Sequence, residues 1–400
     1  MMDGALSGLK VLDLTHYIAG PFCTKFFSDF GADVLKIERP GSGDGSRRVG
    51  PFLHDEPHHE KSALFLFLNT NKKSITLNLK TETGVNIIKE LVKEADVLVE
   101  SFRPGVMESL GLGYDVLEKI NPSLIMTSIS SFGQTGPYRD YKATDMIEYA
   151  LSGLMYVIGD YDKEPLRQGG TPAQFCTGET AAISTFMALN YQQDTGGGDH
   201  LDISVLDSMI APQFTALTPY IFSGGVMRRQ PKVGGKFNGN NAMATQNGYV
   251  IPVVMGNMEW SLFALSVGLL DELDNDKFST PAARIENSAE LDEILLRQFK
   301  DKTKEELFHE TQSFGSAFGV VMSSEDLVNC PHLNERGFFV EVDHPATGPL
   351  TYPGAPFKLS DSPWSAGRAP LLGEHNRDIY IDKLGYSPED LVRFSEAGII

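Results

Sequence analysis

Four hundred residues, 41% of them hydrophobic, suffice for two globular domains and are too many for one small core. A formal net charge of −19 argues against nucleic acid or an anionic membrane as partner, but local Lys and Arg can still meet an anionic ligand. The three cysteines, Cys23, Cys176 and Cys330, have no metal-type spacing and cannot all pair, as expected in a reduced cytoplasm. Asp3, Lys10 and Asp13 interrupt any signal-like start, and no run approaches the roughly 18 apolar residues of a membrane span.

In chain order, LKVLDL (residues 9–14) reads as a short buried strand. AGPFCTKFFSDFG predicts a helix with Pro21 at its start, Phe22, Phe26 and Phe30 on one face and Gly31 at its stop. DVLKIE and SITLNLK are the next strands. TGVNIIKELVKEA is a helix with Val85, Ile88, Leu91 and Val92 inward. DVLVESF is a fourth strand, YDVLEKINP a helix and SLIMTSIS a fifth strand. This alternation predicts an α/β fold, a Rossmann-like parallel sheet whose ligand crevice lies at the strand C-termini.

PAQFCTGETAAISTFMALNYQQDTGGG (residues 172–198) predicts a turn feeding a helix, with Ala182, Phe186 and Leu189 at helical spacing and the Gly triplet stopping it. LDISVLDSMIAPQ reads as a strand and then a helix. VGGKFNGNNAMATQNGYVIPVV is Gly/Asn-rich and turns into strands, and residues 256–330 are mostly helical. The remainder returns to strands, turns and a final helix, SPEDLVRFSEAG. The expected organisation is a large domain over 1–225, a smaller α+β domain inserted over 226–330, and a return to the large domain over 331–400.

GSGDGS (41–46) follows a strand but has neither a GK[ST] nor a G-x-G-x-x-G pattern, so a flexible surface turn is expected. His54, His58 and His59 cluster with acids in HDEPHHEK, but Pro57 breaks the helix that i, i+4 metal ligation needs, so a solvated loop and no metal are expected. Cys176 sits near a helix start without a nearby His to act as base. Arg39, Lys80, Arg103 and Lys142 fall at or just beyond strand C-termini, where a phosphate-bearing ligand would sit in an open sheet.

Several blocks resemble the class III CoA-transferases, the family that includes formyl-CoA transferase, carnitine CoA-transferase and alpha-methylacyl-CoA racemase. They are LSGLKVLDLTHYIAGPFCTKFFSDFGADVLKIERPGSGD, LNTNKKSITLNLKTETG, ADVLVESFRPGVMESLGLGYD, SFGQTGPY, TGGGDHLDISVLDSM, HPATGPLTYPGAPFKLSDSP and PLLGEHN. The resemblance implies two chains threaded through each other, with active sites between the large domain of one and the small domain of the other. Coenzyme A, as an acyl-CoA substrate, would meet Arg39, Lys80 and Lys142 through its phosphates, with Leu77, Asn78, Leu79, Ser101, Phe102 and Arg103 adding contacts, many from the backbone. His16 and Ala19 would border the thioester, and Asp145 matches a family acid near CoA. Ser109 stands where relatives often carry Arg, and Ile18 replaces a residue that is polar in some of them.

The family's nucleophile is an Asp, which attacks the acyl-CoA carbonyl to give a mixed anhydride and free CoA thiolate. At the matching position this chain has Gln174, which has no anionic oxygen. Glu179 lies more than a helical turn further on. A racemase's acid/base pair is absent too, because Thr144 stands in place of its His. The resemblance therefore points to one subunit of a hetero-oligomeric, cytoplasmic CoA-transferase, whose catalytic Asp is carried by a paralogous partner subunit. Succinyl-CoA as donor and benzylsuccinate as acceptor, in anaerobic aromatic degradation, are the substrates expected from such mixed assemblies. The alternatives are a homodimeric transferase with an atypical nucleophile and a non-catalytic CoA-ester-binding protein. Replacing Gln174 by Asp is expected to restore a nucleophile in part.

Overall fold

A computed structural model describes residues 4–229, 235–238, 241–254 and 257–400. Parts of the Gly/Asn-rich stretch expected to turn into strands lie outside these. The described chain forms two compact units. One comprises Met1–Ile158, Leu166–Met227 and Arg336–Ile400; the other comprises Gly159–Pro165 and Arg228–Glu335. Gly159–Pro165, expected in the large domain, belongs to the second unit, where Arg229 Nε donates to the Asp160 carbonyl at 3.1 Å.

The first unit is built on six parallel strands: β1 (Lys10–Leu14), β2 (Asp33–Glu38), β3 (Lys73–Thr76), β4 (Val97–Glu100), β5 (Ile125–Ser130) and β6 (Asp199–Ser204). Their spatial order is β3-β2-β1-β4-β5-β6. The order reverses between β1 and β4, so the crevice expected of such sheets opens above those two strands. Side chains alternate between the faces. Leu12, Leu35, Ile75 and Leu98 face a core shared with the Glu82–Val92 helix. Val11, Val34, Val97, Val99 and Ile125 face a core shared with the Ala19–Asp29 helix and the long Pro172–Thr195 helix. Burial on both faces explains why these strands read as apolar runs.

Two predicted elements are shorter or turned. Strand β3 stops at Thr76, because the Asn78 N–H donates to the Ile399 carbonyl at 2.7 Å and the Thr81 hydroxyl caps the next helix. In the Ala19–Asp29 helix Phe22 and Phe26 are only half-buried, while Cys23, Thr24 and Phe27 face the sheet. Phe22 instead meets Phe175 of the long helix edge-on, with ring centroids 4.9 Å apart.

The C-terminal segment protects the edge of the sheet. Residues 373–380 bond along β3: the His375 N–H donates to the Ser74 carbonyl, the Thr76 N–H to Asn376 Oδ1, and the Tyr380 hydroxyl to the Thr76 carbonyl. An edge strand left open would offer unpaired backbone groups to other chains. The hairpin of β10 (Phe339–Val342) and β11 (Leu350–Pro353) packs Val342 and Tyr352 onto Phe65 and Leu66. Before it in the chain, the second unit carries a three-stranded antiparallel sheet of β7 (Met243–Ala244), β8 (Tyr249–Pro252) and β9 (Phe318–Val320). Its own core is built around Trp260, Phe263, Phe278 and Phe299.

Gly178 sets how closely the long helix approaches the Ala19–Asp29 helix: a Cβ there would lie 2.7 Å from the Ala19 carbonyl oxygen and 3.1 Å from Phe22. Gly178→Val is therefore expected to cost about 1–3 kcal/mol through overpacking. Gly197→Ala, where a Cβ meets nothing within 4 Å, is expected to be neutral. Urea unfolding of both variants checks this.

Candidate functional site

The candidate site grows from the C-terminal ends of β1 to β5. After β1 the chain turns through Thr15, His16, Tyr17 and Ile18, with Tyr17 in the left-handed region at φ 66°. A buried ion cluster holds this turn. Asp13, on the helix-facing side of β1, accepts from the Thr15 N–H (2.9 Å), the Thr24 hydroxyl (2.7 Å) and Lys72 Nζ (3.0 Å). Lys36 Nζ lies 2.9 Å from Asp44 Oδ2 and 3.6 Å from Asp13, and donates to the Thr15 carbonyl. Asp44 in turn accepts from the Tyr17 and Ser46 N–H groups and lies 3.8 Å from His16 Nδ1.

All four ionic side chains are fully enclosed. Burial opposes the Asp13 carboxylate, but Lys36 and Lys72 outweigh it and hold the group below the usual range. Burial lowers Lys72 to about 8 against the pull of Asp13. The GSGDGS stretch is thus no flexible surface turn: Gly43 to Arg47 are buried, and Asp44 is its anchor. Arg47 is enclosed as well, bridging Glu38 and Glu60 and lying over the Phe65 ring. Around Glu60 the histidines are exposed, as expected of a solvated loop.

At the reversal point, the His16 N–H donates to Ser101 Oγ at 3.1 Å and its ring meets Phe102 edge-on, 6.3 Å between centroids. His16, Ser101 and Phe102 therefore meet above β1 and β4; Ala19 begins the helix that follows the turn and Arg103 follows Phe102 in the chain. Arg39 follows β2 and Leu77 to Lys80 follow β3 at the same end of the sheet. Arg39, Lys80, Arg103 and Lys142 are all exposed. Among the backbone groups expected to help, the Leu77 and Asn78 N–H groups are already engaged by the Glu38 and Ile399 carbonyls, and the Phe102 N–H by Glu100. Ser109 is exposed, its hydroxyl bonded to the Val106 carbonyl.

Glu100 ends β4 beneath these groups. It accepts from the Phe102 N–H at 2.7 Å and is hydrogen-bonded to Ser128, whose Oγ also lies 2.9 Å from His200 Nε2. Burial lifts its carboxyl to about 7.

Gln174 is the third residue of the long helix. Its backbone N–H points at Asp145 Oδ1 (3.3 Å), and its side-chain Nε2 donates to Glu148 Oε2 at 2.8 Å. The helix N-terminus therefore does face an anion, supplied by the Asp145–Leu151 helix rather than by residue 174 itself. Burial raises the carboxyls of both Asp145 and Glu148. Asp145 lies 3.8 Å from Arg167, and Glu148 also takes a hydrogen bond from Ser131.

The other residues weighed by sequence lie as follows. Glu179 is exposed. Burial raises the Cys176 thiol, which leans on the Ser208 carbonyl at 3.6 Å. Thr144 is exposed and precedes the Asp145–Leu151 helix without a side-chain cap. Sequence reasoning missed Glu148, Ser131 and Glu100. For Glu148 the signal was present: spaced three from Asp145, it shares that helix face.

The profile of CoA-transferase family III matches residues 6–376. The chain belongs to this family. Succinyl-CoA:glutarate CoA-transferase from Homo sapiens is 32% identical, over 99% of this chain and 90% of its own length. Succinyl-CoA--D-citramalate CoA-transferase from Chloroflexus aurantiacus is 31% identical over 99% and 98%. Formyl-CoA:oxalate CoA-transferase from Streptomyces avermitilis is 32% identical over the whole of both chains. Among solved structures, a CAIB/BAIF family protein from Brucella suis superposes with a TM-score of 0.85 at 30% identity, covering 95% of this chain and 99% of its own. Rv3272 from M. tuberculosis gives 0.80 at 26%, covering 94% and 99%. These relatives place the fold among CoA-transferases, enzymes whose substrates are CoA thioesters and carboxylic acids. No helix among the described residues is long and apolar enough to cross a membrane.

Two expectations follow from the buried carboxylates. Asp13→Ala leaves Lys36 and Lys72 enclosed beside each other without their shared anion, and is expected to cost about 3–5 kcal/mol at pH 7, read by urea unfolding. Glu100 behaves oppositely. Between its unfolded value near 4.5 and about 7 the folded chain keeps a proton that the unfolded chain releases, so its contribution to stability falls as pH rises. Glu100→Gln is expected to remove that loss and gain about 3 kcal/mol at pH 8 relative to pH 5, checked by urea midpoints at both pH values.

Proposed function

We propose that this chain is one subunit of a hetero-oligomeric CoA-transferase that moves CoA from an acyl-CoA donor, succinyl-CoA, to a carboxylic acid such as benzylsuccinate. The observation that carries the reading is the amide of Gln174 at the head of the long helix, bonded to Glu148. A paralogous partner subunit then brings the Asp nucleophile. The names of two relatives, which include succinyl-CoA as donor, support that choice of donor. The acceptor rests on the sequence resemblance alone.

In the partner's site the reaction runs as follows. A carboxylate oxygen attacks the thioester carbonyl, the C–S bond breaks, and CoA leaves as thiolate. The thiolate then attacks the aspartyl carbonyl of the anhydride and expels the donor acid. The acceptor carboxylate attacks the resulting aspartyl thioester, again freeing CoA thiolate, which attacks the acyl side of the new anhydride to form the product thioester and return the Asp carboxylate. The nucleophile must therefore be an oxygen that carries negative charge in the first step and leaves again as a stable anion in the last. The Gln174 amide offers neither. Within this chain's crevice, Arg39, Lys80 and Lys142 would meet the CoA phosphates, Arg103 with the Ser101–Phe102 backbone would flank the cofactor, and His16 and Ala19 would border the thioester.

The surface supports a partner chain. On the long helix, Ile183, Met187 and Tyr191 stand one turn apart and are 56%, 68% and 62% exposed. The Phe214–Ser223 helix leaves Phe214, Ile221 and Phe222 exposed as well. Exposed apolar stripes of this kind mark interaction surfaces, and interlocking with a second chain would cover them. We place the complex in the cytoplasm, the compartment to which the three free cysteines point.

The test is to produce the chain alone and with its native partner, assay CoA transfer from succinyl-CoA, and trap the acyl-enzyme with hydroxylamine or borohydride. Peptide mapping is expected to find the label on the partner and activity only in the mixture. A label on this chain would overturn the proposal.

A further inference from the structure

The Gln174 side chain is not a simple vacancy of charge. It is one half of a pair whose other half, Glu148, is 2% exposed and projects from a different helix. Glu148 Oε2 accepts from Gln174 Nε2 at 2.8 Å, and Asp145 Oδ1 faces the Gln174 N–H at 3.3 Å. Position 174 therefore lies between two carboxyl groups, one against its side chain and one against its backbone. The charged group near Asp145 is Arg167, at 3.8 Å, and the further polar group on Glu148 is the Ser131 hydroxyl.

An amide suits this place because it donates a hydrogen to a carboxylate. A carboxylate in its stead would bring two acceptors face to face, with a third acid a few ångströms away. Carboxylates sharing a site cannot all ionise, and burial makes the repulsion harder to screen. A proton would remain between them, and a protonated carboxyl is no nucleophile. Glu148 itself is enclosed within this chain and so is poorly placed to attack a thioester.

We propose that Glu148 is the positioning residue that fixes residue 174 as a hydrogen-bond donor, so that a nucleophile can return at 174 only if Glu148 gives up its carboxylate. The proposal rests on the reading of 174 as the family's nucleophile position. It differs from the expectation that Gln174→Asp alone restores a nucleophile in part, since on this reading two linked changes are needed.

The experiment is a double-mutant cycle on the full chain, with its partner wherever the two co-purify. It compares the wild type, Gln174→Asp, Glu148→Ala and the double variant, and repeats the cycle with Glu148→Gln, which leaves no cavity. Gln174→Asp alone is expected to lower Tm by about 2–3 °C. In either Glu148 background the same change is expected to cost less than half of that. Equal losses in all backgrounds would overturn the proposal.

Trapping with succinyl-CoA and hydroxylamine, followed by mapping of the 172–195 peptide and of the peptide that carries Glu148, gives the second readout. Label in the double variant is expected at about tenfold or more above the Gln174→Asp single variant, the factor that one pKa unit gives in the ionised fraction. Equal label in both would overturn the role of Glu148. Label on Glu148 in the wild type would overturn both readings, since that residue would then be the nucleophile. Coupled Tm values with no label in any variant would leave the role of Glu148 standing and sink the reading of 174 as the nucleophile position.

Discussion

The crevice depends on the enclosed cluster of Asp13, Lys36, Asp44 and Lys72. Asp13 and Lys36 lie in the C-terminal halves of β1 and β2, on a face whose N-terminal half is Val11 and Val34; Asp44 follows β2, and Lys72 reaches in from just before β3. Replacing such a cluster by apolar side chains is often neutral or stabilising elsewhere, so bulk stability is a poor reason for it to exist. What it supplies is shape. Each carboxylate spends its remaining lone pairs on backbone N–H groups of the turn: Asp13 on Thr15, and Asp44 on Tyr17 and Ser46. The left-handed Tyr17 is held from both sides. Gly45 belongs to the same fit, since a Cβ there would enter the Tyr17 ring at 2.3 Å.

From that turn the rest of the site is positioned by close approach. A Cβ on Gly20 would lie 2.3 Å from the Thr15 side chain, and Gly178 lets the long helix meet the Ala19 carbonyl. Gln174 lies one turn before Gly178 and so is carried toward the β1 turn by the same packing. The ion cluster fixes the turn, the turn fixes the first helix, and the two glycines fix the head of the long helix. The Asp145–Leu151 helix then provides both acids that surround Gln174.

Much of this was legible in the sequence, because the signals are local. Six strands follow from short apolar runs punctuated by Gly and Pro, and their parallel order follows from the helices between them. The crevice residues follow from positions just past strand ends. Long-range partners were not legible. Asp44 reads as part of a Gly-rich turn, and only the fold brings Lys36 beneath it. The Asn78 N–H looks free until Ile399, more than three hundred residues later, takes it. In SITLNLK the alternation continues past Thr76, but the strand stops where the C-terminus intervenes. Glu148 is the instructive case. Its spacing from Asp145 was visible, but that its carboxylate meets residue 174 depends on how two helices separated by a twenty-residue connection pack.

The charge at the head of the long helix comes from a neighbouring helix. A helix N-terminus favours an anion, and an Asp on the helix itself would satisfy it with a side chain free to react. Here Asp145 meets the Gln174 N–H from outside, and Glu148 holds the Gln174 amide side chain. Both anions are tied into hydrogen bonds that a nucleophile would have to break. The head of the helix is thereby fixed by two hydrogen bonds to one neighbouring helix. It is on this arrangement that the proposal of a catalytic partner subunit rests.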